Sequence, residues 1–121
     1  MLPLANRLRK KKDIDRVFAN KRSSKIGPLV CKTALNDLDA GRFCFIVSKR
    51  ISNKAVVRNK LKRRLREAVA GLLPQVKKNC DCLLIACPGL ELKEFNELVP
   101  IVKKILFFAG IINKADQNLQ I

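Results

Sequence analysis

Lys49 to Glu67 read KRISNKAVVRNKLKRRLRE, and nine cations precede Glu67, the first carboxylate of the run. The run is ordered. Val57, Leu61, Leu65, Ala68 and Leu72 recur at spacings of four, four, three and four, which is one apolar face of a helix. Arg58, Lys62 and Arg66 form a second row at i, i+4 and i+8 with Arg63 beside it, so the cations share a flank of that helix. Like charges at this spacing oppose helix formation in isolation. A polyanion along the flank turns the repulsion into attraction, and nucleic acid is the expected one. The bland alternative is a solvated basic face that serves solubility alone.

The distribution of charge argues against that alternative. Residues 1–66 hold 20 Lys+Arg and 4 Asp+Glu, whereas residues 67–121 hold 6 of each, so the whole net charge of +16 sits in the first half. Solubility needs only dispersed charge, and concentrating it costs stability through self-repulsion. No amphipathic, aromatic-rich segment suggests lipid as the partner, which leaves nucleic acid.

A chain of 121 residues with 48% hydrophobic content suits one folded domain, expected over 1–121 with a basic, loosely held arm at 1–12 and a loose tail at 113–121. No apolar run approaches the ~18–20 residues that cross a bilayer. The start, MLPLANRLRKKK, lacks a secretory apolar core, so a cytoplasmic location is expected. Five cysteines then read as reduced thiols. Cys80, Cys82 and Cys87 cluster as C-x-C-x4-C, but with no histidine in the chain a zinc ion would need a fourth ligand from elsewhere, and core packing accounts for them better.

The missing histidine also narrows the chemistry, because protein ribonucleases generally rely on a His base, a metal–carboxylate cluster or a comparable proton shuttle. The acidic residues Asp13 and Asp15, Asp37 and Asp39, and Glu91, Glu94 and Glu97 are scattered, the last three reading as decoration of a surface helix. No catalytic residue and no protein-bound metal is expected.

Along the chain, Ile14, Val17 and Phe18 mark a short helix from about Asp13 to Asn20. KRSSKIGP reads as a loop. Leu29 to Leu35 and Arg42 to Ser48 read as strands joined as a hairpin through NDLDAG, with Gly41 available for a positive φ. The basic helix spans roughly Val56 to Leu72, with Ser52 or Asn53 as its cap. Cys80 to Cys87 is a nearly continuous apolar strand, and a last helix, about Leu92 to Ala109, contains Pro100, where a kink or split is expected. The order α-β-β-α-β-α predicts a mixed sheet layered with helices, an α+β sandwich. A parallel crossover through the basic helix would by general rule be right-handed.

The segment from Ala55 to Glu67, AVVRNKLKRRLRE, closely resembles the motif of the bacterial ribonuclease P protein subunit family, A-V-x-R-N-R/K-hydrophobic-K-R-x-hydrophobic-R-E/Q. Val47-Ser48-Lys49-Arg50 fills the place of the strand end that precedes it. Asp13, Ile14, Val17 and Phe18 match the family's first helix. The resemblance implies a four-stranded sheet like the second domain of a small-subunit ribosomal protein, with a left-handed crossover that overrules the general rule. It further implies an endoribonuclease complex that removes the 5′ leader of precursor transfer RNA. In that complex an RNA subunit carries the active site and most of the magnesium. The protein binds that RNA and the leader, and needs no protein partner or membrane.

By position, the resemblance assigns RNA contacts to Arg58, Asn59, Lys60, Lys62, Arg63 and Arg66 on the motif helix. Asn59 can instead brace the turn before the helix. Lys49, Arg50 and Lys54 flank it, and Arg9, Lys10, Lys11 and Lys12 form the arm. Phe18, Ile14 and Lys32 fall in the leader cleft, where Phe18 either stacks on a base or packs its helix onto the sheet. Ile14 stands where an aromatic is common, Lys32 where a tyrosine often appears, and Lys60 keeps charge but not the bidentate fork of arginine. The rival readings are a ribosomal or RNA-assembly protein, a DNA-binding repressor and a self-sufficient nuclease. The repressor ranks low because no helix-turn-helix pair or zipper is evident.

Overall fold

The computed structural model describes residues 2–112, so the expected tail at 113–121 lies outside the described residues. Helix α1 (Lys11–Ala19) is followed by strands β1 (Ser23–Ile26), β2 (Leu29–Leu35) and β3 (Gly41–Ile46). The basic helix α2 (Ala55–Leu72), strand β4 (Cys80–Ala86) and helix α3 (Phe95–Phe108) complete the α+β fold. The sheet order is β1-β2-β4-β3, with β4 antiparallel to β2 and parallel to β3.

Two sequence expectations are corrected by this topology. The hairpin lies between β1 and β2, where Ile26 pairs with Leu29 and leaves Gly27-Pro28 as a two-residue turn. Gly27 has φ +54°, the positive value that such turns require of their first central residue. β1 escaped the sequence reading because it is a short edge strand, SSKI, with weak strand formers and half its positions exposed. The segment read as the β2–β3 hairpin instead connects strands that β4 separates. β4 is buried at six of its seven positions and needs neighbours on both sides, which a β2–β3 pairing would deny it. Gly41 is required for close approach rather than for a positive φ: a Cβ there would meet Lys77 O and Val76 Cγ1 at 2.7 Å.

Helices α2 and α3 cover one face of the sheet. Leu61, Leu65, Ala68, Val69 and Leu72 of α2 and Leu98, Val102, Ile105 and Leu106 of α3 meet Leu29, Cys31, Phe43, Cys82 and Leu84 in the main core. α2 starts with Lys54 as its cap residue. Ser52 acts two residues earlier, its Oγ accepting from Lys54 N at 3.1 Å. α3 runs unbroken through Pro100, which sits in its second turn on the exposed side and forfeits one backbone bond without a split. Its start is a capping box in which Glu94 and Glu97 each accept a backbone N–H, so these carboxylates are structural.

The N-terminal segment also differs from expectation. Leu8 N donates to Phe43 O at 2.8 Å, and Asn6 Nδ2 donates to Gly41 O at 2.8 Å. Leu2 is buried in the main core and Leu8 in the smaller core on the opposite face. Residues 2–8 are therefore clasped around β3, whose edge would otherwise present unpaired backbone groups. Cys31, Cys80 and Cys82 are buried free thiols, with Sγ atoms of Cys31 and Cys82 3.0 Å apart. Burial pushes the Cys80 thiol up to about 11.

On the second face, α1 is fastened through one residue that the sequence reading passed over. Asp81, fully buried in β4, accepts from Arg42 Nε and Nη2 at 2.8 Å each, from Asn36 Nδ2 at 2.7 Å, and from Arg16 Nη2 of α1. Burial alone would raise the Asp81 carboxyl, but the hydrogen bonds from Arg42 and Asn36 and the charges of Arg42 and Arg16 win, holding it below the usual carboxylate range. A depressed native value means that its contribution is present above the unfolded value of about 3.9 and is lost as pH falls through the native one. Asp81→Ala should cost about 3–5 kcal/mol at pH 7 in urea denaturation, because it leaves the mostly buried Arg42 guanidinium and the Asn36 amide without their carboxylate. It should also flatten the acid limb of stability below about pH 4. A loss under 1 kcal/mol would mean that the cluster is dispensable.

Candidate nucleic-acid interface

The floor of the interface is the α1 face of the sheet. The strand register lays two rows across it: Ser23, Lys32, Leu83 and Cys44, then Lys25, Val30, Ile85 and Ile46. α1 covers the end of this face near Ala34 and Asp81, using Val17 and Ile14 as its packing residues. Val30, Lys32, Cys44, Ile46 and Ile85 remain half-buried. The result is an apolar strip with Lys25 and Lys32 along one rim. Phe18 is 44% exposed and lies one turn beyond Ile14 on the same side of α1. Packing of α1 falls to Val17, which leaves the Phe18 ring available.

The opposite rim belongs to the motif helix. Lys62 is close enough to Cys44 for its charge to pull that thiol down, against a larger upward push from burial. The row of Arg58, Lys62 and Arg66 thus borders the β3 side of the strip. Arg58 also braces the entry to the helix, its Nη1 donating to Ser52 O at 2.8 Å. Asn59, the other candidate for that task, is exposed, as are Arg63 and Arg66. Lys60 is not brought together with the row. Two residues along a helix turn the side chain by about 200°, which puts Lys60 with Arg64 on the far flank.

Lys49, Arg50 and Lys54 are exposed on the loop before α2, which buried Ile51 anchors. A hollow of about 460 Å³ at the end of the sheet is lined by Lys25, Ser48, Arg50, Ile85 and Cys87, and joins the strip to this loop. Lys25 and Ser48 were missed as site residues. Lys25 was hidden because β1 read as a loop, and Ser48 offers no charge to single it out. Arg9, Lys10, Lys11 and Lys12 are exposed, with Lys10 the cap residue of α1 and Lys11 and Lys12 in its first turn. Cations there oppose the helix dipole, a local cost that a bound anion would offset. Lys11 also pairs with Asp15 at 2.9 Å.

Catalytic groups are another matter. Asp81 is the one buried carboxylate among the described residues, and four donors from Arg42, Arg16 and Asn36 occupy it. No three His, Cys, Asp or Glu side chains converge to hold a metal ion among the described residues. No helix is long and apolar enough to cross a membrane among those same residues. The surface presents an apolar strip between cationic rims.

The family model described as Ribonuclease P matches residues 2–109. A ribonuclease P protein component of Roseiflexus castenholzii is 38% identical over 112 residues, covering 92% of this chain and 91% of the relative. That of Dehalococcoides mccartyi is 37% identical over 115 residues, covering 94% and 92%. Among solved structures, the RNase P protein of Staphylococcus aureus superposes with a TM-score of 0.81 at 26% identity, covering 89% of this chain and 98% of that one. The RNase P protein of Thermotoga maritima in complex with 1-(4-fluorophenyl)-2-thiourea gives 0.76 at 27% identity, covering 83% and 96%.

If about six phosphates are neutralised, log K for RNA should fall with log salt at a slope of roughly −4 to −5. Replacing Arg58, Lys62 and Arg66 together by Ala should flatten the slope by about two to three units in a filter-binding titration. An unchanged slope would show that the row faces solvent only.

Proposed function

This chain belongs to the ribonuclease P protein family, and we propose that it serves the enzyme as a clamp with a leader-binding sheet face and a motif helix for the RNA subunit. Members of the family are protein components of the endoribonuclease that processes the 5′ end of transfer RNA, and that is the role of this chain. The reading as a ribosomal or assembly protein without nuclease association is not favoured.

The finer assignments rest on the geometry. The 5′ leader of precursor transfer RNA lies along the apolar strip, with a base stacked on Phe18 and phosphates at Lys32 and Lys25. Ile14 completes the wall, a poorer stacking surface than an aromatic. Arg58, Asn59, Lys62, Arg63 and Arg66 hold phosphates of the ribonuclease P RNA, with Lys49, Arg50 and Lys54 extending the track. Arg9, Lys10, Lys11 and Lys12 meet whichever strand passes the start of α1. The observation that carries the proposal is the strip itself: two cross-strand rows, apolar at the centre, with Lys25 and Lys32 on one side and Lys62 of the motif helix near Cys44 on the other.

We assign hydrolysis to the RNA subunit. The chain has no histidine, and its buried carboxylate is saturated by internal donors. Magnesium then belongs mainly to the RNA subunit and the substrate. The protein lowers the magnesium requirement by supplying cations where phosphates crowd together, which spares divalent ions that would otherwise screen them. The work is placed in the cytoplasm, with no protein partner required.

Reconstitution tests this reading. Added to a bacterial ribonuclease P RNA at low magnesium, the protein should stimulate release of the leader, and should release none alone. Phe18→Ala should raise KM for leader-bearing precursor by roughly five- to hundredfold, the worth of one stacked base, while leaving mature transfer RNA binding unchanged. Equal loss for both ligands would place Phe18 in the fold rather than in the cleft.

A further inference from the structure

The far flank of α2 carries a second surface that the leader cleft does not use. Between α2 and the turn that leads into α3 lies a groove of about 640 Å³, lined by Val56, Lys60, Leu61, Arg64, Leu92 and Lys93 among others. A smaller hollow of about 300 Å³ continues it, lined by Lys60, Arg63, Arg64, Glu67 and Phe95. Both volumes fall in or near the range that takes a small molecule or a single nucleotide. Val56 and Leu92 are 78% and 79% exposed and Phe95 is 41% exposed, so three apolar side chains stand open beside cations.

This groove is shaped rather than incidental. Arg64 is held across it by a hydrogen bond from Nη1 to Lys93 O at 2.9 Å. Two of the nearby carboxylates are engaged by their own backbone: Glu91 Oε1 accepts from Gly89 N at 2.8 Å, and Glu94 caps α3. Glu67 remains as the acidic residue on the rim of the smaller hollow. Lys60 and Arg63 enter no ion pair among the described residues. An aromatic ring with aliphatic neighbours and flanking cations is the combination that holds an unstacked base and its phosphate.

Resting on the function proposed above, we propose that this groove seats an unpaired nucleotide of the RNA subunit, with the base against Phe95 and Leu92 and its phosphate at Lys60 and Arg63. The source is the RNA subunit rather than the leader because of where the groove lies. α2 and α3 cover the sheet face opposite to the α1 face that holds the strip, so a leader in the strip faces away from it. The motif helix then grips RNA on both flanks, one by charge alone and the other by charge and stacking.

The test is a salt series of RNA-subunit binding, and of leader-bearing precursor binding in the reconstituted enzyme, for wild type, Leu92→Ala, Phe95→Ala, Phe95→Trp and Lys60→Ala. Phe95→Ala should weaken binding to the RNA subunit by roughly five- to hundredfold with an unchanged salt slope, and Phe95→Trp should restore it. Leu92→Ala, at a site too exposed to disturb the fold, should weaken it in the same direction. Lys60→Ala should instead flatten the slope by about one unit. The dependence on leader length should stay as in wild type for all four variants. Wild-type affinity for the RNA subunit in both Leu92→Ala and Phe95→Ala would overturn the proposal. So would a change seen only in self-association or in binding of a protein. Failure of the wild type itself to bind the RNA subunit would overturn the functional reading beneath it, and is a separate result.

Discussion

The carboxylate of Asp81 is the constraint on which the rest of the molecule leans. It sits in the central strand, on the face that α1 crosses, and gathers Arg16 from α1, Arg42 from the neighbouring strand and Asn36 from the loop after β2. A charge with no solvent must be matched in full, because breaking one partner leaves the others uncompensated. Arg42 also reaches Asp13 of α1 at 3.6 Å, so two carboxylates and two guanidiniums pin the helix at one end of the sheet. The consequence is functional. With α1 held there, the other end of the same face stays open as the strip between Phe18 and the basic helix.

Charge is arranged in two tiers. Three acidic groups are spent on structure: Asp13 of the basic half and Asp81 of the second half on the arginine cluster, and Asp15 on Lys11. The cations of α2 and of the loop before it enter no ion pair among the described residues. Such a surface destabilises the free protein through self-repulsion, and the cost is recovered when phosphates arrive. That is a physical reason for a protein of net charge +16 to have a well-packed core of Leu, Val and Ile beneath it.

The sheet separates the two proposed RNA surfaces. One face, half covered by α1, offers the strip; the other, fully covered by α2 and α3, puts the motif helix on the outside. Because α2 is both a core element and the crossover between β3 and β4, its cations are held on a rigid support. The clasp of residues 2–8 around β3 serves the same end by closing an edge near the strip.

Much of this was legible in the chain itself. The 4-4-3-4 apolar spacing determined α2 and its buried side, the β2 and β4 runs located their strands, and the uneven charge pointed to a polyanion. These are local signals, since period and composition act over a few residues. Long-range pairing was not legible: β1 hid behind weak strand formers, the supposed hairpin gave way to β4, and the arm looked loose because its two anchoring leucines, Leu2 and Leu8, are isolated in a segment that becomes basic from Arg7 onward. Asp81 was passed over within an apolar strand, and its meaning came from Arg16, Arg42 and Asn36, 65, 39 and 45 residues away. Residues that distant are brought together only by strand order and register, which depend on burying the whole chain at once, and so the cleft was decided by tertiary structure while its cations were written in the sequence.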